Sequence, residues 1–198
     1  MDFVDLMKKE NLYTHLKCKN LKKGYVDFKE LDKFNRPRGA TAYLTKDNLL
    51  YKKRRTSKYK PSGWQNGHIN YKQKFYNRGH IIAFHFLNNI NDNGNYENGK
   101  TGTWDNRKNI FTQTSNSNLN VMKHIEDGIT KELENNNKII YSVNLYYQCK
   151  NDLVAKGIFI QVMYNDIPMV EKDCFIYNNQ PGFTIDYKTG IFYKNNNY

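Results

Sequence analysis

The sequence predicts an α+β fold, a mainly antiparallel sheet with one central helix in a single domain. Three observations carry this. Runs of branched and aromatic residues suited to strands recur along the chain, most strongly at KIIYSVNLYYQC (138–149) and LVAKGIFIQVMY (153–164). Only one long segment, 118–134, has helical periodicity, so strands and helices do not alternate as in a wound parallel sheet. The length, 198 residues, suits one domain.

In chain order, residues 2–10 have the pattern of a short helix. ATAYLT (40–45) and GHIIAFHF (79–86) read as strands, and PSG (61–63) marks a turn. Residues 88–106, rich in Asn and Gly and poor in apolar groups, read as a long surface loop of the kind that often carries function. NIFTQT (109–114) is a short strand. The turn KND (150–152) joins the two strongest strands, and DCFIY (173–177) adds another. There are no internal repeats.

Within 118–134, at about 100° per residue, Leu119, Met122, Ile125, Ile129 and Leu133 share a sector about 120° wide. Asn118 and Glu126 fall in the same sector, whereas Lys123, His124, Asp127, Lys131 and Glu134 point away. A core-facing carboxylate loses hydration at a cost of several kcal/mol unless a cation or donor compensates. Glu126 therefore calls for a metal ion or an arginine. Asn118 reads either as a site residue or as an N-cap.

Composition narrows the function. With 16 Tyr and 11 Phe the chain is no disordered basic tail. No apolar run approaches the roughly 18 residues of a membrane-spanning helix, and MDFVDLMKKENLY at the start holds no signal-peptide stretch. Cys18, Cys149 and Cys174 form no C-x-x-C, which excludes a zinc ribbon or thioredoxin-type site and leaves them as small packing residues. The net charge is +12, and nearly all of it lies in residues 36–91, where twelve basic residues face one acid. Residues 1–35 contribute +2 and 92–198 contribute −1. A polyphosphate partner suits such a segment, because Lys and Arg release condensed counterions there. Its densest run, KKRRTSKYK (52–60), would by itself read as a solvated loop, but it approaches a histidine motif.

That motif is YNRGH (76–80). Gly79 permits close approach of a ligand or a dihedral closed to other residues. His80 and His85 are five apart and on a regular strand face opposite ways, so they cannot share a metal without a bulge. His15, His68 and His124 lack comparable surroundings.

NRGH (77–80), Asn109, Gln113 with Asn118 five residues on, and Glu126 together resemble the DNA/RNA non-specific endonucleases of the ββα-metal superfamily, with a closer likeness to streptococcal secreted DNases and the nuclease of competence. FKELDKFNRPRGATAYL (28–44), PSGW (61–64) and NQPGFTIDYKTG (179–190) resemble that branch's flanking patterns, in the same order. The likeness divides the chain into an N-terminal extension (1–23), an endonuclease domain (24–190) with a ββα-metal core, and a tail (191–198). One departure is Asn77, where Asp is commonest; the position bears on the support of His80.

The resemblance implies Mg²⁺-dependent hydrolysis of phosphodiesters, with Mn²⁺ as a substitute ion. His80 would be the general base, Asn118 the direct metal ligand, Glu126 a ligand through water, and Asn109 an assisting hydrogen-bonder. Arg78 would grip a phosphate or brace its loop, and Lys53, Arg54, Arg55 and Lys58 would contact nucleic acid. The substrate would be DNA, or RNA as well, cut with little sequence preference, since no base-reading module is present. Activity should fall steeply with salt. Two other readings stand beside this one: a non-catalytic nucleic-acid-binding module, and the same nuclease as an antibacterial toxin held by an immunity protein. The likeness also implies a secreted or extracellular protein, although the chain carries no export signal.

Overall fold

A computed structural model describes residues 3–52, 57–102, 105–166 and 170–195. The elements are α1 (Phe3–Lys9), β1 (Tyr25–Phe28), β2 (Gly39–Leu44), β3 (Tyr76–His80), β4 (Asn88–Ile90), β5 (Tyr96–Thr101) and β6 (Ile110–Thr114). There follow α2 (Lys123–Glu134), β7 (Ile139–Tyr146), β8 (Gly157–Tyr164), β9 (Val170–Tyr177), β10 (Phe183–Ile185) and β11 (Phe192–Lys194).

The main sheet is antiparallel throughout, in the order β1-β2-β7-β8-β9. The long apolar runs of β7 and β8 arise because both faces are covered. Alternate residues divide cleanly. Ile139, Tyr141, Val143 and Leu145 with Ile158, Ile160 and Val162 enter the main core, together with Ile129 and Leu133 of α2. The opposite face carries Ile140 and Met163 against Leu21, and Phe159 against Met7 and Leu12. Between those patches runs a buried polar row. Thr14 N–H donates to Gln161 Oε1 (2.7 Å), and Asn144 Nδ2 donates to the Leu12 carbonyl (2.6 Å). The chain before β1 is thus a strap over the sheet, and its polar backbone finds partners there.

On the core side, β3 pairs antiparallel with β6 in the register Asn77↔Gln113 to His80↔Ile110. The chain then enters a π-helical turn, Asn116–Met122, which runs into α2. This strand–strand–helix unit packs its helix on the central sheet through Ile129 and Leu133.

Several sequence expectations need correction. The strand at 79–86 stops at His80, and Phe84–Phe86 form a 3₁₀ turn, because the Asn109 side chain takes up the Ile82 backbone groups that a partner strand would need. The loop at 88–106 contains the β4–β5 pair; β5 is largely exposed, so it carries no apolar period. Leu119 is 48% exposed instead of buried, since the wider π turn breaks the 100° step that placed it inward. Cys18 and Cys149 are exposed rather than packed, Cys174 lies against the core, and none of the three is disulfide-bonded. β1, β10 and β11 are too short and too mixed in pattern to be read in advance.

Candidate active site

His80 is the last residue of β3 and is buried, 7% exposed. Asn118 sits in the π turn directly after the paired strand β6, and Glu126 in the first turn of α2; both are half-buried. The three line one cleft of about 460 Å³. Its other walls include Ala83, Phe84, His85, Thr130, Lys123, Asp127 and Leu119, with Leu49, Leu50, Tyr51 and Lys52 on the side that begins the basic run. The π turn is closed by the Lys123 N–H on the Asn118 carbonyl. Such turns recur at functional sites, and here one presents an Asn side chain immediately after a strand.

The backbone beyond His80 is held by Asn109, which is fully buried. Its Oδ1 accepts from Ile82 N–H (2.8 Å), its Nδ2 donates to the Ile82 carbonyl (2.9 Å), and its own carbonyl accepts from Ile81 N–H (2.9 Å). The Asn109 amide thus clamps the chain two residues past the histidine and is not part of the cleft lining. Asn77 Nδ2 donates to Ser115 Oγ (2.7 Å), and that hydroxyl donates to the Lys74 carbonyl (2.6 Å), tying the start of β3 to the mouth of the π turn. Gly79 serves a neighbour rather than a ligand: a Cβ there would lie 2.1 Å from Gln113 Oε1. Gln113 in turn donates to Ser117 Oγ (3.0 Å) inside the π turn.

Arg78 is half-buried, with its guanidinium 4.4 Å from the Trp64 ring and its Nε donating to the Tyr59 carbonyl. It and the exposed Lys58 lie outside the cleft lining. Lys53, Arg54 and Arg55 lie outside the described residues. Among the described residues, the cations that reach the cleft are Lys52 and Lys123, the latter paired with Asp127 (2.5 Å). Neither they nor Tyr51 and His85 stood out in the sequence as site residues. His85 shares the cleft with His80 because a 3₁₀ turn, not a strand, separates them. Its Nε2 lies 3.1 Å from Thr130 Oγ1, which donates to the Glu126 carbonyl (2.8 Å), and burial lowers its pKa. Beneath Glu126, Tyr141 is fully buried. Burial first, and the Glu126 charge second, push its pKa well above the usual phenol value, so it stays protonated.

The donor set fits a hard cation. Asn118 and Glu126 line the same cleft, so an amide carbonyl oxygen and a carboxylate are both offered to it. No group of three or more His, Cys, Asp or Glu is placed to hold a metal among those residues. A few oxygen donors, the remaining positions being left to water and phosphate, is the arrangement Mg²⁺ favours.

A family model described as DNA/RNA non-specific endonuclease matches residues 16–166. Among solved structures, NucA from Streptococcus agalactiae with magnesium ion bound aligns at 25% identity and a TM-score of 0.77, over 92% of this chain and 84% of that one. The Sda1 nuclease with bound zinc ion shares the fold at 20% identity and a TM-score of 0.62, over 83% and 78% of the two chains. An extracellular endonuclease shares it at 16% identity and a TM-score of 0.62, over 93% of each chain. Fold and matches together define the class: a single-domain ββα-metal nuclease, a hydrolase of phosphodiester bonds. The chain belongs to the DNA/RNA non-specific endonuclease family.

Proposed function

We propose that the protein is a Mg²⁺-dependent endonuclease that cuts DNA, and RNA as well, with His80 as general base and Asn118 and Glu126 holding the ion. The observation that carries this is the convergence of these three side chains in one cleft, with Lys52 and Lys123 on its walls. Imidazole suits the role, since its ordinary pKa near neutrality lets it accept a proton from water at working pH. The water oxygen then forms the new bond to phosphorus as the bond to the 3′-oxygen breaks. Asn118 would contribute its carbonyl oxygen to the ion directly, and Glu126 would act through an ion-bound water. The bound cation supplies neutralisation of the charge building on the phosphate and the leaving oxygen.

Asn109 acts as a positioning residue, holding the strand that presents His80. Arg78 braces the 59–64 segment through Tyr59 and Trp64. Phosphate attraction by Lys52 and Lys123 carries no base information, which fits cleavage with little sequence preference. Export from the producing cell fits an activity of this kind. Incubation with supercoiled plasmid, in Mg²⁺ and separately in EDTA, tests the function. Progressive nicking and degradation in Mg²⁺ alone supports it; binding without cleavage in both would leave a nucleic-acid-binding module instead.

A further inference from the structure

Tyr51 is 78% exposed, and two contacts set the position of its backbone and of its hydroxyl. On the backbone side, the adjacent Leu50 N–H donates to the His85 carbonyl (2.7 Å). At the far end, the Tyr51 hydroxyl donates to Glu134 Oε1 (2.9 Å) at the end of α2. An exposed aromatic side chain ordinarily samples several rotamers; this one spans from the loop to the helix across one wall of the cleft that holds His80, Asn118 and Glu126. Lys52 follows it at once in the sequence, and Leu119, also exposed at 48%, lies on the same cleft. An open aromatic face, a neighbouring cation and an open aliphatic group are the components that grip a nucleotide by its base and its phosphate.

We propose that Tyr51 is a stacking platform for an unpaired nucleobase of a strand bound in this cleft. In a duplex both faces of a base are covered by its neighbours, so the platform engages single strands, frayed ends and gaps. The site therefore favours single-stranded substrate through the base's π face, while any base can occupy it. The inference rests on the nuclease reading for its location.

The test compares the wild-type protein with Tyr51→Leu, which keeps apolar bulk but removes the π face, and Tyr51→Phe, which keeps the ring. Three Mg²⁺-containing assays use a single-stranded oligonucleotide, its duplex, and a strand of the same length made of abasic residues. Tyr51→Leu should raise KM on the single strand by roughly fivefold or more. The change should be much smaller on the duplex and should vanish on the abasic strand, and Tyr51→Phe should restore most of the loss. In parallel, binding of an oligonucleotide carrying 2-aminopurine is followed by fluorescence in EDTA, where cleavage is off. The wild type should quench the probe, and Tyr51→Leu should bind it more weakly with less quenching. Wild-type KM and quenching in Tyr51→Leu, or an equal loss on the abasic strand, would overturn the platform. Absence of cleavage by the wild type would defeat the nuclease reading alone, and the fluorescence arm would still decide the stacking.

Discussion

Asn109→Ala separates a residue that positions the site from one that works within it. The side chain is fully buried and makes two hydrogen bonds, at 2.8 and 2.9 Å, to the N–H and the carbonyl of Ile82. Truncation leaves both of those backbone groups buried without a partner, at about 1–3 kcal/mol each, so the variant should lose about 2–6 kcal/mol of stability. For a chain of this size that is a fall in Tm of roughly 5–20 °C, readable by thermal unfolding. Activity should fall with it, since the tether is two residues from His80. Asn109→Asp sharpens the test. Ionised, it can still accept from Ile82 N–H but turns its second oxygen on a carbonyl; protonated, it donates as the amide did. Burial raises its folded pKa above the unfolded value, so the stability regained should be present at low pH and lost as pH rises through the folded pKa. A variant Asn109→Ala with wild-type Tm and no activity would refute the clamp and make the amide a participant in the chemistry.

The remaining perturbations address other joints of the same site. Gly79→Ala puts a methyl group 2.1 Å from Gln113 Oε1 and 2.7 Å from Gln113 Cβ and should cost about 1–3 kcal/mol; the double variant with Gln113→Gly, which removes both atoms, should lose less than the two single changes added together, and strict additivity would place the strain elsewhere. Tyr141→Phe removes a buried hydroxyl with no hydrogen-bond partner among the described residues, so Tm should hold or rise; a loss above about 1 kcal/mol would mean the hydroxyl is satisfied. Burial depresses the pKa of His85 below its ordinary 6.5, with Asp127 opposing the shift and Lys123 adding to it. The unfolded chain therefore takes up that proton first. The stability His85 contributes is intact above the unfolded pKa and is lost as pH falls through the folded one, and His85→Gln should flatten Tm between about pH 7 and pH 5. An unchanged slope would put the acid sensitivity on another group.

What could be read from the sequence, and what could not, follows from how local each signal is. β7 and β8 were plain because burial on both faces leaves long runs of branched residues, a signal contained within each strand. The placement of His80, Asn118 and Glu126 in one site followed from their order in a pattern shared with a family, and the cleft brings them together. The inward side of the helix was correct from Met122 onward but wrong at Leu119, because periodicity assumes an α-helical step and the π turn does not keep it. The β4–β5 pair escaped notice because an exposed, Asn- and Gly-rich hairpin has no apolar alternation. Tyr51 and His85 could not have been joined to the site from spacing at all. Their approach is tertiary: Leu50 N–H donates to the His85 carbonyl between segments 35 residues apart, and the flanking Leu49 and Phe86 share the main core. The basic segment reaches the cleft through Lys52, whereas Arg78 within it is taken up by Trp64 and Tyr59.

The central claim is that His80 is the base for metal-assisted hydrolysis. It is tested most directly by the initial rate of plasmid cleavage at saturating Mg²⁺ for His80→Ala against the wild type, with thermal unfolding run on both. The rate should fall by about 10²–10⁴-fold while Tm is retained. Cleavage by a folded His80→Ala at close to the wild-type rate would contradict the account.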